Sequence, residues 1–534
     1  MNSHRLLMFA LLVFAFGLRV VHNTELLPPV YAYPNEIGKR DGALTLAEEN
    51  FDHGYSMPSF LLNSLYVLYF PVRWSYEFGH AQWPDSAVFG LDLMNYYLWF
   101  GRTYMAVFGT LAVWVVYLLG RRLGGRRLGL FAAALLAVVP IAVLGSRHMK
   151  EDMPLGLFST VAILFLADLL HRHRVRDFLR AAVAAGVCFG TKWLGGIILL
   201  PCILAAWLLR GKVLGMKGLR SRRWFALVLA GCFLLGFSIT SPDFMVHPRK
   251  IWKGLKRGAK KSYDSHSDGM KVDLYENAFT DYFRTGLWPG LTPTVLLLSF
   301  GGYFWLRRRR PDEALLLASW ILLVYTLLET AKARPYPHYQ RYLQPIIPSL
   351  CVLAACGLEG MTRWVSRFEL RLGKRGAQIV VAGIVIAGLG WPLYDSVNYL
   401  RFIPRSTIIQ AREFILQQVP KDSLILIDNY GPILPAEQYR FMVPRRDDLL
   451  AVGDFPPEPC YALVSENGLG RFLKRPQANP PLTNFIMWVM SNGKLIREWR
   501  PEFRSFYCES PTLRLYKFED TKIVFHAPPL PPED

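Results

Sequence analysis

Few stretches of this chain combine residue types that can move a proton or hold an anion. The first runs from Tyr33-Pro34-Asn35-Glu36 to Asn50-Phe51-Asp52-His53 and carries Glu36, Asp41, Glu48, Glu49 and Asp52. A general base must be held within about 3 Å of the proton it removes. A short tether to a preceding apolar anchor fixes the height of Glu36, which makes it the first candidate base. Asp41 and Asp52 follow, and for each the plain alternative is a solvated loop charge. The second stretch is Ser146-Arg147-His148-Met149-Lys150-Glu151-Asp152-Met153-Pro154, where six of nine residues are polar or charged. Glu151 and Asp152 there could share a metal ion or a proton; otherwise the segment is an interfacial turn whose Pro154 starts a helix. The third set is cationic: Lys192, Lys332, Arg334, His338 and Arg341, with Tyr342 next in the chain. Arginine is a planar, bidentate donor that keeps its charge, suited to a lipid phosphate. Plain headgroup anchoring is the alternative.

These residues need elements to hold them, and composition says what kind. The chain has 534 residues, is 52% hydrophobic and 14% aromatic, and only 19% of it is charged. Soluble chains of this length are ordinarily less apolar. The net charge is +20, but the basic residues fall in short runs between apolar segments. That pattern fits anchoring at anionic lipid and argues against nucleic acid as a partner. The seven cysteines form no CxxC. Cys460 and Cys508, in the polar tail, could pair outside a reducing compartment.

Apolar runs predict spans over Leu6–Val21 (an uncleaved anchor), Trp99–Leu119, Leu128–Gly145, Pro154–Leu170, Ala181–Thr191, Trp193–Leu209, Trp224–Ile239, Leu291–Leu306, Ala314–Leu328, Leu343–Leu358 and Ile379–Leu393, about eleven in all. Pro58–Pro71 is apolar for only about thirteen residues, too short to span comfortably, and fits a helix in the interface. Five short basic loops, 121–127, 171–180, 210–223, 307–310 and 363–375, are expected on the cytoplasmic side. The count closes if the chain reverses tightly near Thr191-Lys192; the alternative is one long tilted helix with Lys192 snorkelling. The outer face then holds the acidic loop 23–98, the turn Ser146–Met153, the loop 241–289 and the tail. In the tail, Ser406 caps a helix over Thr407–Gln418, Leu424–Ile427, Tyr461–Val464 and Leu513–Phe518 read as strands, and Pro481–Ser491 reads as a helix. The fold class is therefore mainly α: a polytopic membrane helix bundle over residues 1–395, with a small soluble α/β domain over 396–534 on the outer face.

The order of these pieces resembles the C-type integral-membrane glycosyltransferases that use polyprenyl-phosphate sugars, among them the protein O-mannosyltransferases and the aminoarabinose transferases. The resemblance rests on Pro34-Asn35-Glu36, Met57-Pro58-Ser59-Phe60, Ser146-Arg147 to Asp152-Met153-Pro154, Thr191-Lys192-Trp193, and Arg341-Tyr342-Leu343-Gln344-Pro345 with Pro348. It implies inverting transfer: a carboxylate deprotonates an acceptor hydroxyl, which attacks the anomeric carbon while phosphate leaves. It places Glu36 and Asp152 at the chemistry, and Asn35, Glu151, Lys192, His338, Arg341 and Tyr342 around the substrates. It also implies a polyprenyl-phosphate sugar and membrane lipid as partners beside an unidentified acceptor. No cofactor and no metal are expected. One departure stands out. The family's first-loop base is an aspartate, and Asn35, which cannot accept a proton at neutral pH, occupies that position. Glu36 is expected to take the role, with Asp41 or Asp152 as alternatives. The rival readings are a binding protein that has lost transfer and a transport or polysaccharide-assembly protein. A transporter would need ionisable groups at mid-membrane. The expected location is a bacterial inner membrane, with the tail periplasmic.

Overall fold

The computed structural model describes residues 3–27, 34–46, 58–74, 92–209, 219–264, 280–331, 338–367, 369–428, 430–442, 460–474, 476, 480–503 and 510–518. Helices α1 (Ser3–Val20), α2 (Pro34–Leu44), α3 (Phe60–Arg73), α4 (Leu93–Gly124), α5 (Arg126–Val138), α6 (Pro140–Gly145), α7 (Asp152–Arg172), α8 (Val175–Thr191), α9 (Leu199–Leu208) and α10 (Leu219–Thr240) form the first part. They are followed by α11 (Asp243–Val246), α12 (Pro248–Asp264), α13 (Trp288–Arg307), α14 (Pro311–Thr330), α15 (Ile347–Ser366) and α16 (Glu369–Phe402). The stretch expected to be an acidic loop contains α2, and the expected loop 241–289 contains α11 and α12.

Among the described residues, four stretches are long and apolar enough to cross a membrane: Leu93–Gly124, Asp152–Arg172, Pro311–Thr330 and Arg375–Gln418. The expected count of about eleven is thus not confirmed, and the expected span Leu128–Gly145 is broken. Pro140 lacks an N–H and pushes Val139 into extended backbone (φ −66°, ψ 130°), dividing α5 from α6. Lys192 is also extended (φ −158°, ψ 141°) and is followed by a 3₁₀ turn over Trp193–Ile198. This break falls where a reversal is expected, and the 3₁₀ turn folds back against the end of α8. Gly195 lies so close to Cys188 that a Cβ on it would sit 2.2 Å from the carbonyl oxygen.

The bundle has two polar ends. Helix α7 separates them: Asp152 opens it and Arg172 closes it, across 21 residues, or about 30 Å. At the Arg172 end, Arg122 pairs with Asp168 (2.6 Å), Arg310 meets His171 (3.2 Å), and Glu359 takes Arg363 (2.6 Å) and Arg127 (3.3 Å). Four of the five basic loops therefore converge on one end. At the other end lie Glu36, Arg102, Arg147, Asp152, Lys192 and Arg341. Between the ends, backbones approach at small residues, as is common where helices pack within lipid. A Cβ on Gly186 of α8 would lie 2.0 Å from Phe233 O of α10, and one on Gly236 would lie 2.0 Å from Val183 O.

After α16, Ser406 caps α17 (Thr407–Gln418), its Oγ accepting from the Ile408 N–H at 3.2 Å. A five-stranded sheet follows, built from β1 (Leu424–Ile427), β2 (Arg440–Met442), β3 (Cys460–Ser465), β4 (Lys494–Trp499) and β5 (Leu513–Phe518), in the order β2-β1-β3-β5-β4. The three-strand part β2-β1-β3 is parallel, and β5 runs antiparallel to both β3 and β4. Helix α18 (Pro480–Asn492) packs Phe485, Ile486 and Val489 against the sheet. β2 and β4 were not foreseen: β4 is an edge strand whose first four residues are exposed, so it shows no apolar alternation. Rings tie the segment that follows β4 to α16, with Tyr399 edge-on to Phe503 at 4.5 Å and Phe402 stacked on it at 5.8 Å. Cys460 is buried and has no disulfide partner among the described residues; Cys508, its expected partner, lies outside them.

Gly186→Val and Gly236→Val are each expected to push α8 off α10 and cost about 1–3 kcal/mol, read as lower thermal stability in detergent. Gly231→Val on α10, where no atom lies within 4 Å of a new Cβ, is expected to leave stability unchanged.

Candidate active site

The turn between α6 and α7 is fastened on three sides. Ser146 Oγ donates to Ala142 O at 2.6 Å and accepts from Arg19 Nε at 3.2 Å. Arg19 also donates to Ala15 O (2.9 Å), Leu136 O (3.0 Å) and Ala137 O (3.2 Å). Arg147 reaches the end of α1, donating to the carbonyls of Val21 and, at 2.8 Å, His22. The third fastening is Glu36. Its Oε1 accepts the Met149 N–H at 2.8 Å, and its Oε2 accepts Arg102 Nη2 at 2.8 Å and Nε at 3.2 Å. Arg102 in turn donates to the carbonyls of Asn23, Glu25 and Leu26. Glu36 and Arg102 are both buried. Burial alone would raise the Glu36 carboxyl, but Arg102, His148 and the Met149 N–H outweigh it and hold it below its ordinary 4.5.

Beside this knot sits a second cluster. Asp152, also buried, opens α7; its Oδ1 binds Lys192 Nζ and its Oδ2 lies 3.2 Å from Arg341 Nε. Lys192 is placed by the break between α8 and the 3₁₀ turn, and its ammonium lies 3.9 Å from the ring centre of Tyr342. Arg341 and Tyr342 come from the 3₁₀ turn His338–Leu343. Burial pushes the Tyr342 phenol up to about 12, so it remains an O–H donor at neutral pH. Glu151 pairs with Lys39 of α2 at 2.5 Å. Despite burial, Lys39, Lys150 and Lys192 keep the Glu151 carboxyl well below the ordinary carboxylate range. Burial brings the Lys150 ammonium down to about 7, helped by Arg341 and Lys39 and opposed by Glu151 and Glu36. Among the described residues, the carboxylates Glu36, Glu151 and Asp152 thus share this end with Lys39, Arg102, Arg147, Lys192 and Arg341, and Lys150 is only partly charged at neutral pH; this excess of cations suits an anion.

Of the residues picked out from sequence, Glu36, Glu151, Asp152, Lys192, Arg341 and Tyr342 share this end of the bundle. Asp41 stands apart, exposed and paired with Arg40 at 2.7 Å. The side chains of Asn35 and His338, and all of Asp52, Lys332 and Arg334, lie outside the described residues. Lys39 and Arg102 were missed, and Lys150 was named only as part of its stretch. An arginine inside an apolar helix is by itself a signal, and Lys39 follows Glu36 at helical spacing. Among the described residues, no three His, Cys, Asp or Glu side chains converge as a metal-ligand set.

A helical bundle with long apolar helices, a break at Lys192, a buried carboxylate on α2 and a sheet after the last long helix has the architecture of the C-type integral-membrane glycosyltransferase fold. Residues 87–241 match the family described as dolichyl-phosphate-mannose-protein mannosyltransferase. That segment includes Arg102, the 146–153 turn and Lys192, and leaves out Glu36 and Arg341. No curated protein matches the chain. Among solved structures, the chain is similar to apo ArnT from Cupriavidus metallidurans, with 14% identity, 96% of this chain and 97% of that one covered, and a TM-score of 0.51. It is also similar to the apo oligosaccharyltransferase of Archaeoglobus fulgidus, with 12% identity, 87% and 70% covered, and a TM-score of 0.51. At such identities these likenesses speak to the fold.

Glu36→Ala strands Arg102 as a buried, unpaired cation and is expected to cost about 3–5 kcal/mol of stability, measured by thermal unfolding. Glu36→Gln, which keeps an acceptor for Met149, is expected to cost less. Because the folded state depresses the Glu36 carboxyl below 4.5, the stability it supplies is complete above the unfolded pKa. It is lost as pH falls through the lower folded value. A melting-temperature profile taken through that acid window is expected to slope less in Glu36→Gln than in wild type.

Proposed function

We propose that this protein is a membrane glycosyltransferase that moves a sugar from a polyprenyl-phosphate donor to an acceptor hydroxyl with inversion. The observation that carries this reading is the pairing of Lys192 and Arg341 on one buried carboxylate, Asp152. Two cations held side by side at one end of a membrane bundle are already placed for a lipid phosphate, and Asp152 is their counterion until that phosphate arrives. The fold and the matched family segment support the same class. Convergence of four basic loops at the far end supports an extracytoplasmic location for the site, by the excess of Lys and Arg in cytoplasmic loops. A bacterial inner membrane remains part of this proposal, as does an outward-facing sheet.

The step balances as follows. The acceptor oxygen forms a bond to the anomeric carbon from the face opposite the phosphate. The bond from that carbon to the phosphate oxygen breaks, and polyprenyl phosphate leaves with the electron pair, its charge held by Lys192 and Arg341. The acceptor proton goes to a carboxylate. Glu36, with both oxygens engaged by Arg102 and the Met149 N–H, is a positioning residue in this scheme. Asp152 is the base: once the donor phosphate draws Lys192 and Arg341 to itself, the Asp152 oxygens are released toward the reacting centre. A second reading, binding without transfer, is favoured by Asn35 at the family's aspartate position and by the engagement of Glu36.

Lys192→Ala and Arg341→Ala are each expected to weaken donor binding by about tenfold or more, the worth of a charge-assisted hydrogen bond. Asp152→Asn is expected to abolish transfer of radiolabelled sugar while retaining donor binding. Transfer that survives in Asp152→Asn overturns the base assignment. Donor binding by wild type with no turnover, in the presence of hydroxyl-bearing lipid, glycan and peptide acceptors, selects the second reading.

A further inference from the structure

Helix α12 takes no part in the scheme above, yet its sequence is sharply two-sided. Arg249, Lys250, Lys253, Lys256 and Arg257 are all exposed. At 3.6 residues per turn they fall within an arc of about 120°, and the sequence repeats the spacing at Lys260 and Lys261. The opposite face carries Ile251, and Trp252 flanks the basic arc beside Lys256. Ile251 is buried against Phe237, beside Phe189, Trp193 and Phe244. This seats the start of α12 on the ends of α8 and α10, next to the break that carries Lys192. Two further contacts hold the entry to α12. Ser241 Oγ donates to Gly190 O at 3.1 Å, and Ser59, at the start of α3, hydrogen-bonds Asp243 of α11. Around that entry Met245 (71% exposed), Val246 (69%) and Trp252 (58%) present apolar surface to the outside. Among the described residues, no acidic side chain pairs with Arg249, Lys253, Lys256 or Arg257. The Lys256 ammonium instead lies 5.6 Å from the Trp252 ring.

We infer that α12 is an in-plane membrane-surface helix whose basic face binds the headgroups of anionic phospholipid in the leaflet at the Lys192 end. Met245, Val246 and Trp252 enter the acyl boundary, and the cations lie level with the phosphates. Charge complementarity names the occupant: five described cations on one face, with apolar side chains at the depth where acyl chains begin. A soluble anionic partner would explain the charge and leave the exposed Met245, Val246 and Trp252 facing water. The inference does not depend on whether the protein transfers sugar.

The test uses the purified full chain in detergent, titrated with phosphatidylglycerol or phosphatidylcholine and read by native mass spectrometry. Wild type is expected to retain phosphatidylglycerol over phosphatidylcholine by about tenfold or more, and Lys253→Gln/Lys256→Gln/Arg257→Gln to lose that preference, with an unchanged melting temperature before lipid is added. A triple variant that still prefers phosphatidylglycerol as strongly as wild type overturns the inference, as does a wild type with no preference. So does displacement of phosphatidylglycerol from wild type by soluble polyphosphate with no return on adding lipid, which would mark a soluble anion as the occupant. Separately, a bimane label on Val246→Cys in phosphatidylglycerol vesicles is expected to be quenched by lipid-borne nitroxide and spared by water-soluble nitroxide. The reverse result also overturns the inference.

Discussion

The architecture of the polar end depends on one buried carboxylate. Glu36 accepts a backbone N–H from the turn before α7 and two bonds from Arg102 of α4. Arg102 then spends its remaining donors on the carbonyls that follow α1. Four pieces of chain far apart in sequence meet at this pair. In a site of low dielectric, a charge without a partner is far costlier than the pair is favourable. The interaction therefore acts less as glue than as a constraint: arrangements that separate α2 from α4, or either from the turn, leave a bare ion. Asp152 begins α7 three residues after Met149, so its place is set by the same knot.

The second cluster depends on local backbone. Lys192 is where it is because α8 ends at Thr191 and the 3₁₀ turn folds back through Gly195, whose lack of a side chain admits the Cys188 carbonyl. Arg341 arrives on a separate 3₁₀ turn, and both cations converge on Asp152. A cluster with more cations than carboxylates, assembled from three turns at the mouth of a bundle, is suited to take up and release an anion. The Glu36 knot, whose charges are fully engaged, is suited to stay fixed.

The two polar ends stand about one α7 length apart, and they differ in kind. At the Arg172 end, partly exposed arginines pair with Asp168, Glu313 and Glu359, the pattern of loops at a water interface. At the Asp152 end the charges are buried and shared between elements. Helices α3 and α12 extend that end sideways, through the Ser59–Asp243 bond and the Ile251 contact. The site is thereby bordered by surfaces fitted to a headgroup layer.

Apolar runs long enough to see above the noise were legible in the sequence, as were the tail helix capped by Ser406, the strand over Leu513–Phe518 and the break at Lys192. These are decided by short-range rules of burial, capping and turn chemistry that a linear chain displays. Helix α12 within 241–289 was not foreseen because its basic face hides the helical period behind charge, and β4 because an exposed edge strand has no alternation to show. The residue types at the site were also visible: Asp152, Lys192, Arg341 and Tyr342 stood out as ionisable or aromatic groups between apolar runs. Their partnership was not. Whether Glu36 is free to take a proton or is bound by Arg102, sixty-six positions away, depends on which helices touch. Only tertiary packing decides which charges leave water together, and burial then makes each of them depend on the partner it finds.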